Sequence, residues 1–183
     1  MNLRQTVFAA AFVLSSIAAS AFPIALPGTE GFKVIVGSTD DIIATYEGNS
    51  AAYSNDLYLQ GFGFVFNNHA SAVGSTVNLG SYAVGTELVF RLHVNDTGFD
   101  YYTGPGSRNP DGQFHARVQS EWLPDTTLVS FEDLYFGPFD FNDLSFSFTN
   151  TQGAPSVPEN LSIAGAFLLA FGAMAKLARS RRL

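Results

Sequence analysis

Between residues 30 and 150 the chain never sustains a helical repeat. Short runs of β-branched and aromatic residues alternate there with clusters of Gly, Asn, Asp and Pro. The run LVFRLHV sets Leu88, Phe90, Leu92 and Val94 on one face, against Val89, Arg91 and His93 on the other. The run LYLQGFGFVF divides in the same way, with Leu57, Leu59, Gly61, Gly63 and Val65 opposite Tyr58, Gln60, Phe62, Phe64 and Phe66. A two-residue period of this kind builds strands with one buried face. The pattern predicts strands over Phe32–Val36, Ile42–Tyr46, Leu57–Phe66, Thr76–Tyr82, Glu87–Val94, Gln113–Gln119, Thr127–Phe131 and Leu144–Phe148. Short strands separated by turn residues point to an all-β fold, an antiparallel β-sandwich or jelly roll spanning residues 22–150. Most of the 18 phenylalanines then serve as core and cross-strand pairs.

Charge is segregated along the chain. The formal total of −7 conceals a central segment, residues 22–157, with four basic side chains (Lys33, Arg91, Arg108 and Arg117) against fifteen acidic ones. The other basic residues, Arg4, Lys176, Arg179, Arg181 and Arg182, lie beside two terminal apolar runs. At the N-terminus MNLRQT is a basic leader and Val7–Ile17 an apolar stretch. Ala19-Ser20-Ala21 is a small-residue cleavage signature, so residues 1–21 read as a signal helix cut after Ala21. At the C-terminus, Leu161–Ala175 is uncharged, and snorkelling of Lys176 extends the segment over residues 161–178. At a rise of about 1.5 Å per residue such a helix is roughly 27 Å long, enough for a thin bilayer core. The basic tail, residues 179–183, is expected to stay on the cytoplasmic side. With no cysteine, disulfides and thiolate sites are excluded, and a pI near 4.7 argues against nucleic acid as a partner.

The C-terminal layout resembles the PEP-CTERM sorting signal. Its parts are Val157-Pro158-Glu159, the helix from Leu161 to Ala175, and the arginines from Arg179 to Arg182; Asn160 stands where that signature usually has a second proline. Residues 151–160 then form a linker carrying the sorting motif. The resemblance implies recognition by an exosortase, a membrane-embedded transpeptidase-like enzyme of Gram-negative bacteria that make exopolysaccharide. It also implies an exported protein, anchored in the inner membrane before processing and then placed at the cell envelope, surface or extracellular matrix.

The stretch LVSFEDLYFGPFDFNDLSFSF concentrates oxygen donors. Glu132, Asp133, Asp140, Asn142 and Asp143 fall within twelve residues. Hard ligands of this kind suit Ca²⁺, which takes six to eight oxygens and tolerates irregular loops. In an extended chain Asp140 and Asn142 share one side while Phe141 points to the core; the alternative is that these residues are simply turn formers. The same stretch resembles the domain of unknown function 4114, a β-rich module of bacterial extracellular and surface proteins. The FEDL run, the Gly-containing turn and the D-x-N-D tetrad carry the likeness, with Gly85–Phe90 and Ser107–Gly112 followed by His115 upstream. It covers roughly residues 55–150 and implies an adhesion-like or matrix-associated accessory module with calcium binding. Glu132, Asp133, Asp140, Asn142 and Asp143 match that motif one by one; Asn109, Asp111 and His115 are additional candidates for the same cluster.

Enzyme signatures are scarce. Nucleophile elbows, P-loops, zinc His-x-x-x-His sites and dinucleotide fingerprints are all missing from the sequence, and His69, His93 and His115 lie on separate elements. A glycan hydrolase using Asp133, Asp140 or Asp143 is the enzymatic alternative, since glycosidases need only a spaced pair of carboxyl groups. A purely structural biofilm protein is a third reading. Tyr101, Tyr102 and Trp122, with Phe99, flank Gly- and Pro-rich loops and are candidates for stacking on sugars. The sequence therefore favours a non-enzymatic, calcium-stabilised module that binds exopolysaccharide.

Overall fold

A computed structural model describes residues 22–156 of the 183. The expected signal segment with Ala19 and Ala21, the expected sorting motif at Val157-Pro158-Glu159, the expected membrane-spanning segment and the basic residues after it all lie outside the described residues. Among the described residues no helix is long and apolar enough to cross a membrane.

The structure is all-β. In chain order the strands are β1 (Lys33–Val36), β2 (Ile43–Asn49), β3 (Asn55–Leu59), β4 (Gly63–Asn67), β5 (Thr76–Asn78) and β6 (Glu87–Leu88). They continue with β7 (Phe90–Val94), β8 (Asp100–Tyr102), β9 (Ala116–Leu123), β10 (Thr126–Phe131), β11 (Leu144–Thr149) and β12 (Thr151–Ala154). All pair antiparallel, in sheets of order β5-β2-β11-β10-β9, β4-β3-β7-β8 and β12-β1-β6.

The two larger sheets meet through aromatic rings, an arrangement that fits a β-sandwich. Phe90 of β7 stacks on Phe148 of β11 with ring centroids 4.0 Å apart. Phe66 of β4 stacks on Phe146 of β11 and tilts against Tyr46 of β2. Alternation sends every second residue of β3 and β7 inward, so Leu57, Leu59, Phe90, Leu92 and Val94 are buried in one cluster with Val129, Phe131 and Leu144. β10 departs from alternation and is buried throughout. Its second face carries Ser130, which bonds Ser145 at 2.8 Å and accepts a hydrogen bond from the Ala25 amide, so the N-terminal segment covers polar groups that would otherwise need water.

Three expectations are corrected. The single strand over Leu57–Phe66 is a hairpin, β3 and β4. Gly61 at φ 85° and Gly63 at φ 119° supply backbone conformations that an L-residue resists, and these reverse the chain. The strand over Glu87–Val94 is broken at Val89: β6 joins β1 in the small sheet, and β7 joins β3 in another. A sheet switch of this kind turns a corner without disturbing the alternation that made the run look continuous. Finally, β8 and β12 lie where no strand was expected. β12 begins the segment assigned to the linker and pairs with β1 from Lys33↔Ala154 to Val36↔Thr151.

Candidate metal centre

β10 and β11 are neighbours with Phe131 opposite Leu144. That register decides the site, because the residues just after β10 face the residue just before β11. Glu132, Asp133 and Asp143 thereby converge, each offering a carboxylate oxygen within 4.8 Å of the others. Glu132 is 0% exposed and Asp133 3% exposed.

The loop that joins the two strands is held by its own carboxylates. The Asp133 amide donates to Asp143 Oδ2 at 2.8 Å, and the Leu134 amide donates to Glu132 Oε1 at 3.2 Å. Phe136, Phe139 and Phe141 adopt φ of 50°, 52° and 58°, a left-handed conformation that non-glycine residues avoid at a cost of order 1 kcal/mol or more each. Gly137 packs directly on the site: a Cβ built there would sit 2.4 Å from Glu132 Oε1 and 2.7 Å from the Leu134 Cβ. Gly137→Ala should therefore displace the Glu132 carboxylate and lower the melting temperature, by about 1–3 kcal/mol of stability for a forced overlap of this size. A thermal melt of the variant beside the parent checks this.

Electrostatics set the three acids apart from ordinary surface carboxylates. Burial is the main cause, and mutual repulsion adds to it. Asp133 is pushed up to about 6, by burial first and then by the charge of Asp143, against the pull of its bond with Asn55. Asp143 is likewise raised to about 6, by burial and by Glu132. Glu132 is raised by burial, with Asp140 and Asp133 contributing.

Around these acids lie buried oxygens without hydrogen-bond partners. They include Glu132 Oε2, Asn55 Oδ1 and the Tyr101 hydroxyl. Asn55, at the start of β3, donates through Nδ2 to Asp133 Oδ2 at 2.8 Å, which leaves its carbonyl oxygen beside the cluster. Tyr101 is held far above its usual range by burial and by the nearby charges of Asp111, Asp133 and Glu132. An unpartnered buried oxygen normally costs 1–3 kcal/mol. A group of them beside three carboxylates forms a donor set made wholly of oxygen, the chemistry that a hard divalent cation requires.

The remaining sequence candidates fall into neighbouring roles. Asp140 is exposed and accepts from Asn142 Nδ2 at 2.8 Å, while Asn142 Oδ1 accepts from Ser50 at 3.0 Å; neither belongs to the carboxylate triad. The segment is not extended, since Phe139 and Phe141 have positive φ, yet Asp140 and Asn142 still share one side through their mutual hydrogen bond. Phe141 does turn inward. Asn109 closes a loop, accepting from the Tyr102 amide and donating to the Gln113 carbonyl. Asp111 accepts from His115 Nε2 at 2.9 Å and from the amides of Gln113 and Phe136. Burial opposes ionisation of Asp111, but those hydrogen bonds outweigh it and hold the carboxyl below its usual range. His115 is buried with Nδ1 against the Glu132 carbonyl, so both ring nitrogens already have partners. His115 thus joins Asp111 to the Glu132 backbone.

No family model, curated protein or solved structure matches this chain. Of the stacking candidates, Tyr101 is 0% exposed with its ring on His115 at 3.8 Å, so it offers no face to a ligand. Tyr102 points to the opposite side of the sheet and is partly open, and Trp122 is half-buried on β9. Two contributors to the site escape sequence inspection. Asn55 lies 78 residues from the acid it contacts, and the need for glycine at position 137 follows from a side chain five positions away.

Proposed function

We propose that the chain is an exported envelope or extracellular-matrix protein whose β-domain is a non-enzymatic, Ca²⁺-stabilised module for binding polysaccharide or surface partners. Its terminal segments act as export signal and exosortase-sorted anchor. The observation that carries the metal part of the reading is the convergence of buried Glu132 and Asp133 with half-buried Asp143, Glu132 Oε2 itself being left unpartnered. Glu132, Asp133 and Asp143 would hold the ion, with Asn55 Oδ1 as a further donor. The ion would supply charge compensation that closes the β10–β11 loop. The terminal runs support the export reading, since only they carry apolar stretches flanked by basic residues.

The test is a calorimetric titration and thermal melt of the full chain in mild detergent, with Ca²⁺ and with a chelator. At a free concentration 100 times its Kd, an ion that binds only the native state adds about 2.7 kcal/mol, or roughly 8 °C for a domain of this size. Asp143→Asn should remove the Ca²⁺ response while leaving the cation-free protein as stable or more stable at neutral pH, because one half-buried charge is gone from beside two buried acids. An unchanged melt on adding millimolar Ca²⁺ would refute the metal assignment.

A further inference from the structure

The outward face of the β4-β3-β7-β8 sheet carries one aligned row of side chains. The strand registers pair Phe64 with Tyr58, Tyr58 with Arg91, and Arg91 with Tyr102. Alternation turns all four away from the core, so the row crosses all four strands and spans about 14 Å at the usual strand spacing. The Arg91 guanidinium lies 4.3 Å from the Tyr58 ring centroid, and Phe64 meets the same ring edge-on. Two adjoining hollows of about 320 and 270 Å³ open along this row. They share Gln60 and Tyr102, and Arg108 and Arg91 line one each. Beside the aromatic row runs a polar one, in which Asp56 is paired with Asn67 and His93, and His93 with Asp100.

Charge also distinguishes this face. Of the four cations in residues 22–156, Arg91 and Arg108 line the hollows, and Lys33 shares the Glu87 carboxylate with Arg108. Arg91 is matched by Asp100 at 2.8 Å. The face is thus close to balanced, while the domain as a whole carries fifteen acidic groups against four basic ones. Both guanidinium groups keep further N–H donors beyond those given to the carboxylates. Exposed rings, an amide and guanidinium donors suit a molecule with apolar C–H faces and hydroxyl-bearing edges, and an elongated row suits a polymer of such units.

We propose that this face binds a pyranose polymer, with sugar rings resting on Phe64 and Tyr102 and ring oxygens or carboxylates accepting from Gln60, Arg91 and Arg108. The proposal rests on the polysaccharide-binding reading and assigns it a site, separate from the acidic centre. Tyr58 is a positioning residue that holds Arg91 across the row.

The test is isothermal titration of the full chain in mild detergent, with cellohexaose as the neutral probe and an alginate hexasaccharide as the uronate probe. Binding of at least one is expected. Tyr102→Ala and Phe64→Ser should each weaken it about tenfold, the loss of one stacking platform. Arg91→Gln should weaken the uronate arm more than the neutral arm. Phe136→Ala, on the loop over the acidic centre, should leave the affinity unchanged. Phe64 is 53% exposed, so its variant tests the face without disturbing the core. Binding that survives both Tyr102→Ala and Phe64→Ser overturns this site while leaving polysaccharide binding intact. Binding of neither probe overturns both.

Discussion

Raising the pH from about 4 to about 7 in the presence of a chelator should lower the melting temperature of the full chain, and adding millimolar Ca²⁺ should reverse the loss only at the upper end. The direction follows from the buried acids. Asp133 and Asp143 stand at about 6 in the folded protein against an ordinary value of 3.8. Between those values the folded state holds protons that the unfolded chain has released, so stability present below the ordinary value is lost as the pH rises through about 6. Holding one such group ionised costs about 3 kcal/mol, since each pKa unit corresponds to 1.36 kcal/mol. A cation removes that penalty by supplying the opposite charge, but it competes with protons for the same oxygens. The Ca²⁺-induced rise in melting temperature should therefore be small at about pH 5 and reach roughly 8 °C near pH 7.5 at saturation. Differential scanning calorimetry across this range, with and without chelator, checks both limbs. A melting temperature that climbs steadily from acid to neutral pH without cation would contradict the arrangement of buried acids.

Phe148→Ala should be among the most damaging single substitutions in the domain, at about 3–5 kcal/mol. The ring is 0% exposed and stacks at 4.0 Å on Phe90 of the opposing sheet, so its removal opens a cavity between the two large sheets. Total stabilities of 5–15 kcal/mol are typical, so a loss of this size leaves a small margin. Phe136→Ala makes the contrast. Phe136 is 64% exposed on the β10–β11 loop, and its truncation should change stability by no more than about 0.5 kcal/mol. Urea unfolding of the two variants side by side measures the difference. Equal midpoints would mean that the sheets do not meet through Phe148.

The two phenylalanines also mark how far the sequence can be read. Alternation in FRLHV and in LSFSF places Phe90 and Phe148 on buried faces without any structure. The same alternation cannot show that Val89 stands between two sheets, because a strand that turns a corner keeps its period. Nor does it distinguish a hairpin with a short turn from one long strand; Gly61 and Gly63 are the only local marks of the reversal. β8 and β12 escaped because DYY and TQGA are too short to display a period. Their partners, β7 and β1, supply the hydrogen bonds that make them strands.

The acidic stretch was legible as a source of ligands, and its composition of hard oxygen donors needs no fold to recognise. Which of its members converge is a different question. Spacing treats Asp140 and Asn142 as equals of Glu132, Asp133 and Asp143. The pairing of Phe131 with Leu144 brings only the last three together, while Asp140 stays exposed and bonded to Asn142. Tyr101 and Tyr102 make the same point on one strand. Neighbours in sequence, they face opposite sides of β8, so one is sealed against His115 and the other lines the outer hollows.

The class of the fold, the residues that alternate into its core and the chemistry of its donors can all be read along the chain, because they depend on period and residue type, both local properties. Which donors share a site, which aromatic faces remain open and where strands change sheets emerge only once the chain is folded. Those outcomes depend on register between segments as distant as Asn55 and Asp133, and register is set by packing between the sheets rather than by any neighbouring residue.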